Sequence, residues 1–310
     1  MAKLNEFSFL SSDKKTNLHA MQWLPDGEVK AVVQIVHGVA EHIARYDGFA
    51  RYLCDNGFAV YGHDHLGHGK SVTANGTPVY FGDGNTWETV TDDINLLQTI
   101  IKEHFAGVPI FIMGHSMGSF LTRSFLIRYP GQVSGAVIMG TGWQPGYMLA
   151  GGLAISSLFS HFKTPYATSD FVTKLAFGAY NKAFAPARTP VDWLSADRGN
   201  VDRYIADPLS GNDTTVGLFN QMLKGIRFNQ RKANLDKMDK NTPVLFISGE
   251  DDPVGNMMKG VAASKTAFDR VGVKDVTLIS YKGLRHEILN ESSENMKVYA
   301  DLLGWFNKYC

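Results

Sequence analysis

Gly114, Ser116 and Gly118 form the pattern G-x-S-x-G within the stretch IFIMGHSMGSF. The pattern follows an apolar run of strand length at 110–114 and precedes a run with helical spacing at 117–129. A strand that turns straight into a helix places the middle residue at the apex of a tight bend, where flanking glycines avoid side-chain clashes. We therefore predict that Ser116 is an exposed nucleophile, because the strand, turn and helix are the context that this motif requires.

A serine nucleophile needs a neighbouring base, and the base needs a carboxylate that orients it. In the strand-serine-helix architecture, the chain order of the three groups is serine, acid and then histidine. Of the ten histidines, His286 alone lies beyond position 161, so it is the predicted base. The acid is expected after the preceding strand, in the segment SGEDDPV. The geometry of a strand end does not distinguish among its three candidates, Glu250, Asp251 and Asp252.

The stretch YGHDHLGHGKS at 61–71 raises the question of a metal or phosphate site. Neutral imidazoles bind zinc well, but the aspartate of a metallohydrolase pattern is replaced here by Gly67, and no later histidine-rich loop completes a ligand set. A phosphate loop would need a glycine where the chain has Asp64, whose charge repels phosphate. We therefore predict no metal and no cofactor, although the stretch contains three histidines, His63, His65 and His68.

The rest of the chain alternates short apolar runs with longer amphipathic segments, which predicts a mostly parallel sheet with helices on both faces. The predicted strands are 31–36, 58–62, 110–114, 135–140, 243–249 and 275–280. The predicted helices are 45–55, 86–105, 117–129, 257–271 and 292–308. The alternation stops between 142 and 237. We therefore predict an α/β core of residues 1–141 and 238–310 that is interrupted by a helical cap at 142–237.

The bulk composition limits the partners that the protein can have. The chain has 310 residues, of which 30 are basic and 30 acidic, so no net field attracts nucleic acid or an anionic membrane. Two cysteines, Cys54 and Cys310, are too few for a disulfide framework. The N-terminal residues lack the apolar region of a signal peptide. We expect a cytoplasmic protein that acts on a small molecule; the sequence does not indicate its oligomeric state.

Four motifs resemble those of the α/β-hydrolase superfamily, and within it the branch of monoacylglycerol lipases and lysophospholipases, also called serine aminopeptidase-type hydrolases. They are VHGVAEHIARY at 36–46, HDHLGHGKS at 63–71, GHSMGS around Ser116, and the pair SGEDDPV and GLRHEIL. The resemblance implies the α/β-hydrolase fold and a structural turn at the histidine-rich stretch. It also implies that Asp252 is the catalytic acid, with Asp251 as the alternative.

The same resemblance implies where the oxyanion of acyl transfer is stabilised. Backbone N–H groups aimed at the oxyanion typically contribute about 10²–10³ in rate for each donor. The implied donors are Met117, which follows the nucleophile, and Val39 in the first motif. Glu41 and Arg45 match family positions at the polar end of the pocket, where they could bind the alcohol or form a salt-bridged loop.

The predicted cap begins with a segment suited to binding an acyl chain. Residues 142–169 contain no Asp or Glu and are rich in aromatic and aliphatic side chains, yet the longest apolar stretch is too short to span a bilayer. Such a helix above a hydrolase cleft could line an acyl channel and contact lipid surfaces transiently. The predicted acyl-binding residues are Met148, Leu149, Leu153 and Phe159.

Three functions are compatible with these observations. The leading one is a serine carboxylic ester hydrolase that acts on monoacylglycerols or lysophospholipid-like monoesters through an acyl-enzyme. The second is a peptidase of the proline iminopeptidase type, which needs carboxylates in the cap to hold a free amino group. The third is a non-catalytic binding protein with the same fold, against which a complete set of catalytic groups argues. The cap carboxylates open to the second function are Asp170, Asp192, Asp197 and Asp202.

Overall fold

A central β-sheet organises the molecule. The computed structural model of the chain describes residues 2–162, 164–169, 173–174, 177–292 and 294–310. Within these residues the sheet has eight strands in the order β1-β2-β4-β3-β5-β6-β7-β8. They are β1 Lys3–Leu10, β2 Asn17–Leu24, β3 Ala31–Val36, β4 Phe58–His63, β5 Ile110–His115, β6 Gly135–Met139, β7 Val244–Gly249 and β8 Val276–Tyr281.

Strands β3 to β8 are mutually parallel, whereas β1 and β2 form an antiparallel hairpin at one edge, with β2 antiparallel to β4. The six parallel strands are those predicted from the sequence, and their bounds agree to within one residue. The hairpin was not predicted. Because parallel strands end at the same edge of a sheet, the loops after β3, β5, β7 and β8 meet there.

Nine α-helices lie within the described residues. They are α1 Asp47–Asp55, α2 Thr86–His104, α3 Met117–Arg128, α4 Gly146–Phe162, α5 Arg198–Ala206, α6 Val216–Asn229, α7 Lys232–Leu235, α8 Lys259–Arg270 and α9 Asn295–Lys308. The five predicted helices correspond to α1, α2, α3, α8 and α9. None of the described helices is both long enough and apolar enough to cross a membrane.

Two large hydrophobic clusters cover the two faces of the sheet. One cluster places Ile94 of α2 and Phe125 of α3 against Phe246 of β7. The other places Phe49 of α1 and Phe306 of α9 against the opposite face. Both faces of β3 to β7 are buried, which explains why these strands read as continuous apolar runs in the sequence, whereas β8 at the sheet edge is mostly half-buried.

Between β6 and β7 the helices of the described residues are joined by turns and irregular loops, and the chain there also forms an isolated bridge between Thr168 and Thr215. Helix α6 of this segment packs onto the core, because a Cβ atom at Gly225 would collide with the Trp87 ring of α2. Asn229 at the end of α6 donates a hydrogen bond to the carbonyl of Phe120, 2.7 Å away. Helix α6 is thus part of the segment between β6 and β7 and also packs closely against the core. The division into core and cap at 142 and 237 stays a prediction.

Candidate active site

Ser116 lies at the turn between β5 and α3 in a left-handed conformation, with φ 54° and ψ −121°. Its N–H donates to the carbonyl of Met139 on β6 at 3.0 Å, which fixes the turn against the sheet. A Cβ atom at Gly114 would strike the carbonyl oxygen of Gly118, and one at Gly118 would strike the carbonyl oxygen of Val36. Both glycines of the motif are therefore required by close backbone packing, which holds the serine at the apex.

His286 and Asp252 are brought together by the loops that follow β8 and β7. Nδ1 of His286 lies 2.9 Å from Oδ2 of Asp252. The Asp252 carboxylate is completely buried, and its Oδ1 accepts a hydrogen bond from the Val254 N–H at 2.8 Å. Asp251 and Glu250 take other positions, since Asp251 is exposed and Glu250 accepts a hydrogen bond from Ser280 at 2.8 Å.

The second ring nitrogen of His286, Nε2, has no structural hydrogen bond to any described residue and is therefore available to a substrate. Nε2 is buried and has no hydrogen-bond partner within the described part of the chain. Ser116 and His286 line the same cavity, of about 340 Å³, together with Val39 and Trp193. Because buried polar atoms are normally satisfied, a free imidazole nitrogen in a cavity with a serine is suited to exchange a proton with a reacting group.

The loop after β3, residues 37–41, contains the predicted oxyanion donor Val39 and is named the oxyanion loop after that prediction. A Cβ atom at Gly38 would lie 3.1 Å from Cβ of Ser116, so the loop backbone passes directly beside the serine. The Gly38 N–H donates to Oε1 of Glu41 at 2.6 Å, which removes it as an oxyanion donor. The next amide in the loop belongs to Val39. The Met117 amide opens α3, where the first N–H groups of a helix lack intrahelical acceptors.

Glu41 and Arg45 belong to a buried ion-pair network. Oε2 of Glu41 accepts from Arg45 at 2.8 Å, and Arg45 also makes a bidentate pair with Glu287, at 2.7 Å for both contacts. Burial opposes ionisation of Glu287, but the charge of Arg45 lowers the pKa of its carboxyl. Glu41 is among the described residues that line the cavity and Arg45 is not. Arg45 thus forms the salt-bridged loop that was one of its two predicted roles, because its guanidinium contacts two carboxylates, and its contact with substrate stays a prediction.

His115, directly before the serine, joins this network. Its Nδ1 lies 3.2 Å from Oε1 of Glu41, and its Nε2 lies 3.2 Å from the backbone carbonyl oxygen of His286. Burial opposes ionisation of both partners. The hydrogen bond and charge of Glu41 nevertheless raise the pKa of His115, and the hydrogen bond from His115 and charge of Arg45 hold the pKa of Glu41 well below its usual range.

Two residues of the site were missed in the sequence. Glu287 pairs with Arg45 from a position 242 residues away, a distance that no local pattern reveals. Trp193 packs against the predicted base, with its ring centroid 5.1 Å from that of His286. Glu287 directly follows the predicted base in the sequence, and this position could have marked it as a site residue. Nothing in the local sequence distinguished Trp193 from the other aromatic residues of the cap.

The predicted acyl-binding residues of α4 do not line the cavity that holds Ser116. Met148 and Leu149 line a larger cavity of about 830 Å³ between α4, α6 and the loop after β7. Leu153 lines a separate groove of about 290 Å³, and Phe159 packs against the main hydrophobic cluster. Phe177 lines both the larger cavity and the cavity with Ser116, so the two spaces adjoin.

The histidine-rich stretch forms a buried, hydrogen-bonded turn. Asp64 accepts from the backbone N–H groups of Ile43 and Lys70, at 2.8 Å and 2.9 Å, and from His19 at 2.9 Å. Burial would raise the pKa of Asp64, but these contacts, led by that of His19, lower it to about 2. No group of three or more potential ligands in the described parts of the chain has an arrangement that could hold a metal ion.

Serines on strand-to-helix turns, facing a histidine and carboxylate from later loops of a mostly parallel sheet, define the α/β-hydrolases. This protein has this fold and this chain order, and it is an enzyme of that class.

Comparison with known proteins narrows the class. The family described as "Serine aminopeptidase, S33" matches residues 27–293, and the chain belongs to this family, within its monoacylglycerol lipase-like branch of ester hydrolases. It is 30% identical to the monoacylglycerol lipase of Mycolicibacterium smegmatis over 285 residues, which are 91% of this chain and 90% of that protein. It is 27% identical to the human monoglyceride lipase over 295 residues, 94% of this chain and 87% of that protein.

A solved structure agrees with these sequence comparisons. The thermostable carboxyl esterase of Bacillus coagulans, determined in complex with glycerol, matches with a TM-score of 0.92 and 26% identity. The match covers 100% of this chain and 99% of that one, so it includes the segment between β6 and β7.

Proposed function

We propose that the protein hydrolyses fatty-acid monoesters of glycerol through an acyl-enzyme at Ser116. The observation that carries this proposal is the buried hydrogen bond between His286 and Asp252 beside a cavity that also holds the serine. In the proposed reaction, His286 Nε2 takes the proton of Ser116 as Oγ attacks the ester carbonyl carbon. Asp252 holds the ring in the tautomer that leaves Nε2 free.

The tetrahedral intermediate carries its negative charge on the former carbonyl oxygen. We assign the Val39 and Met117 amides as its donors, since both lie on segments fixed beside Ser116. Collapse of the intermediate breaks the bond to the alcohol oxygen, which receives its proton from His286. Water then attacks the acyl-enzyme by the same steps in reverse, which releases the fatty acid and restores Ser116.

Two adjoining cavities support a monoester with one long chain. The cavity with Ser116 has a mainly apolar lining but also presents hydroxyl, amide and carboxyl groups, among them those of Tyr204, Asn212 and Thr214, which suit a small polyol. The larger cavity is lined mainly by apolar side chains of α4 and α6, including Met148 and Leu149, which suit an acyl chain. The glycerol bound to the related esterase and the names of both related lipases support the same substrate class.

The exposed side chains of α4, some of them at the mouth of the larger cavity, support contact with lipid aggregates, from which such substrates come. Tyr147, Met148 and Leu158 are all more than half exposed, at 79%, 53% and 57%. Exposed apolar side chains on one helix fit the boundary of a lipid surface. We propose that this contact is transient and that the enzyme works in the cytoplasm.

One observation keeps peptide hydrolysis as a second candidate. Asp213 is exposed and lines the cavity with Ser116, where a carboxylate could hold a free amino group. The carboxylates considered from the sequence have other contacts: Asp192 binds Thr189 at 2.6 Å, Asp197 caps α5, and Asp202 pairs with Arg188 at 2.7 Å. The fourth, Asp170, lies outside the described residues.

A substrate panel with a covalent probe tests the proposal. A fluorophosphonate should label the wild-type enzyme and leave Ser116→Ala unlabelled. Initial rates should be highest on a glycerol monoester, lower on a lysophospholipid and on the matching triacylglycerol, and lowest on a proline anilide. Faster anilide cleavage that Asp213→Asn abolishes would transfer the assignment to the peptidase, and absence of labelling would contradict both functions.

A further inference from the structure

His115 contacts hydrogen-bond acceptors through both of its ring nitrogens. Nδ1 faces the carboxylate of Glu41, and Nε2 faces the carbonyl oxygen of His286, each at 3.2 Å. A neutral imidazole has one N–H and can donate only one hydrogen bond, whereas an imidazolium donates two. The ring is buried, with 5% of the residue exposed where it lines the cavity with Ser116, and both of its nitrogens face protein acceptors. The geometry therefore requires the charged form if both contacts are to be made.

The charge balance of the surrounding network leads to the same protonation state. The charged groups that face His115 are Glu41 from the oxyanion loop and Glu287 from the loop after β8, with Arg45 between the two carboxylates. Two buried carboxylates and one guanidinium leave a net negative charge, which is costly in a buried site unless a further cation is present. The His115 imidazolium supplies that cation. Two further titratable groups adjoin this network. The His286 ring lies at a centroid distance of 4.6 Å from the His115 ring, and the Tyr46 hydroxyl donates to Glu41 at 2.9 Å.

The two acceptors of His115 lie on the two segments that must be aligned for acyl transfer. Glu41 also accepts from the Gly38 N–H at 2.6 Å, so it sets the orientation of the peptide that precedes the Val39 amide. The His286 carbonyl belongs to the residue proposed as the base. The backbone at Gly140 leaves room for this arrangement, since a Cβ atom there would lie 3.0 Å from the His286 ring and 3.2 Å from the His115 ring.

We infer that His115 is a positioning residue held as an imidazolium, and that its charge ties the oxyanion loop to the backbone of His286. The inference rests on the proposed function, because it gives both tied segments a role in ester hydrolysis. Loss of the proton would leave one of the two hydrogen bonds unmade and would release either Glu41 or the His286 backbone.

The protonation state can be measured without any substrate. In protein carrying ¹⁵N-labelled histidine, both ring nitrogens of His115 should be protonated at neutral pH. The signal is assigned by its absence in His115→Gln or, if that variant does not fold, by its shift in Glu41→Gln. A His115 ring with one unprotonated nitrogen at neutral pH would overturn the inference and leave the proposed function untouched.

Kinetics test the positioning role. For His115→Gln we expect kcat on a glycerol monoester to fall about 10- to 100-fold with little change in KM, since a misplaced oxyanion donor acts on the transition state. The wild-type kcat should decline at alkaline pH as His115 loses its proton. This decline should shift to lower pH in Glu41→Gln, where the carboxylate no longer stabilises the imidazolium, and should be absent in His115→Gln.

A double variant and a matched control complete the test. If the two residues act as a pair, Glu41→Gln combined with His115→Gln should lose less activity than the product of the two single losses. The exposed His104→Gln should match wild type in rate and pH profile. A folded His115→Gln with wild-type kcat, or an alkaline decline unmoved by Glu41→Gln, would overturn the inference. A wild-type enzyme inactive on all esters would instead contradict the proposed function.

Discussion

Oδ2 of Asp252 lies 2.9 Å from Nδ1 of His286, whereas the side chain of the adjacent Asp251 is exposed to solvent. The backbone N–H of Asp251 donates to the carbonyl of Leu284 at 3.0 Å, which fixes the loop so that the second aspartate turns inward. Of the two carboxylates that the sequence left as alternatives, only that of Asp252 is therefore placed to contact His286.

We predict that Asp252→Asn lowers kcat on the order of 10⁴-fold, because the amide stabilises the wrong tautomer of His286 and does not support its charged form. Asp251→Asn should stay close to wild type. Steady-state kinetics on a glycerol monoester measure both, with thermal unfolding to confirm that each variant is folded. The double variant Asp252→Asn/Ser116→Ala should have almost the same kcat as Ser116→Ala alone, because we expect the three groups to act as one unit. Equal losses in the two aspartate variants would contradict the assignment.

The backbone of Ser116 is strained, and this strain gives a prediction about stability. A non-glycine residue at φ 54° and ψ −121° costs on the order of 1–3 kcal/mol, whereas glycine adopts such a conformation freely but loses more entropy on folding. We expect the free energy of unfolding of Ser116→Gly to exceed that of Ser116→Ala by about 1 kcal/mol, although both variants lack the predicted nucleophile.

Urea denaturation of the two inactive variants measures this difference. The alanine variant is the matched control, since it removes the hydroxyl and retains the Cβ atom. Equal stability of the two variants would show that the strained backbone conformation carries no measurable cost.

The parallel core was predictable because each buried strand is a local apolar run. Strand β3, for example, is buried at all six positions and reads AVVQIV. The N-terminal hairpin was not predicted because it lies at the sheet edge. The residues of β1 alternate between exposed and half-buried positions, so polar and apolar side chains share the strand and no apolar run marks it.

The candidate site divides in the same way between local and distant information. Ser116 and its two glycines were recognisable because the chemistry and the turn occupy five adjacent residues. The partners of Arg45 were not, since Glu287 approaches it only after the sheet has formed. The sequence predicted an acyl channel along α4 but not which residues line it, because helical spacing does not show that Leu149 faces a cavity while Phe159 packs against the core.

The buried histidines near the oxyanion loop predict a loss of stability in acid. Burial lowers the pKa of His63 and of His68 to about 3, from an ordinary value of 6.5, so the folded protein keeps them neutral. The unfolded chain takes up protons near 6.5. Stability should therefore fall as pH drops from about 6.5 to about 3, by about 1.4 kcal/mol per pH unit for each histidine.

The variant His63→Leu tests this linkage, since leucine is similar in size and does not titrate. Its unfolding free energy should depend less steeply on pH than that of wild type, with a slope smaller by about 1.4 kcal/mol per pH unit, the contribution of one histidine. The exposed His104→Gln is the control for the loss of a histidine outside the buried cluster. An unchanged slope in His63→Leu would contradict the prediction, and a loss of activity in EDTA that zinc restores would show that the histidines bind metal instead.

The larger cavity predicts how activity depends on acyl chain length. Each methylene that becomes fully buried contributes about 0.8 kcal/mol, which corresponds to about a fourfold rise in kcat/KM, until the cavity is full.

Ile155 lines this cavity, whereas Leu158 on the same helix is exposed. We expect Ile155→Trp to reduce rates on long-chain glycerol monoesters much more than on short ones. Leu158→Trp, which adds the same bulk outside the cavity, should retain the wild-type profile on dissolved substrates. Initial rates on a series of glycerol monoesters measure both variants, and a chain-length profile that is flat in wild type would show that the acyl chain does not enter this space.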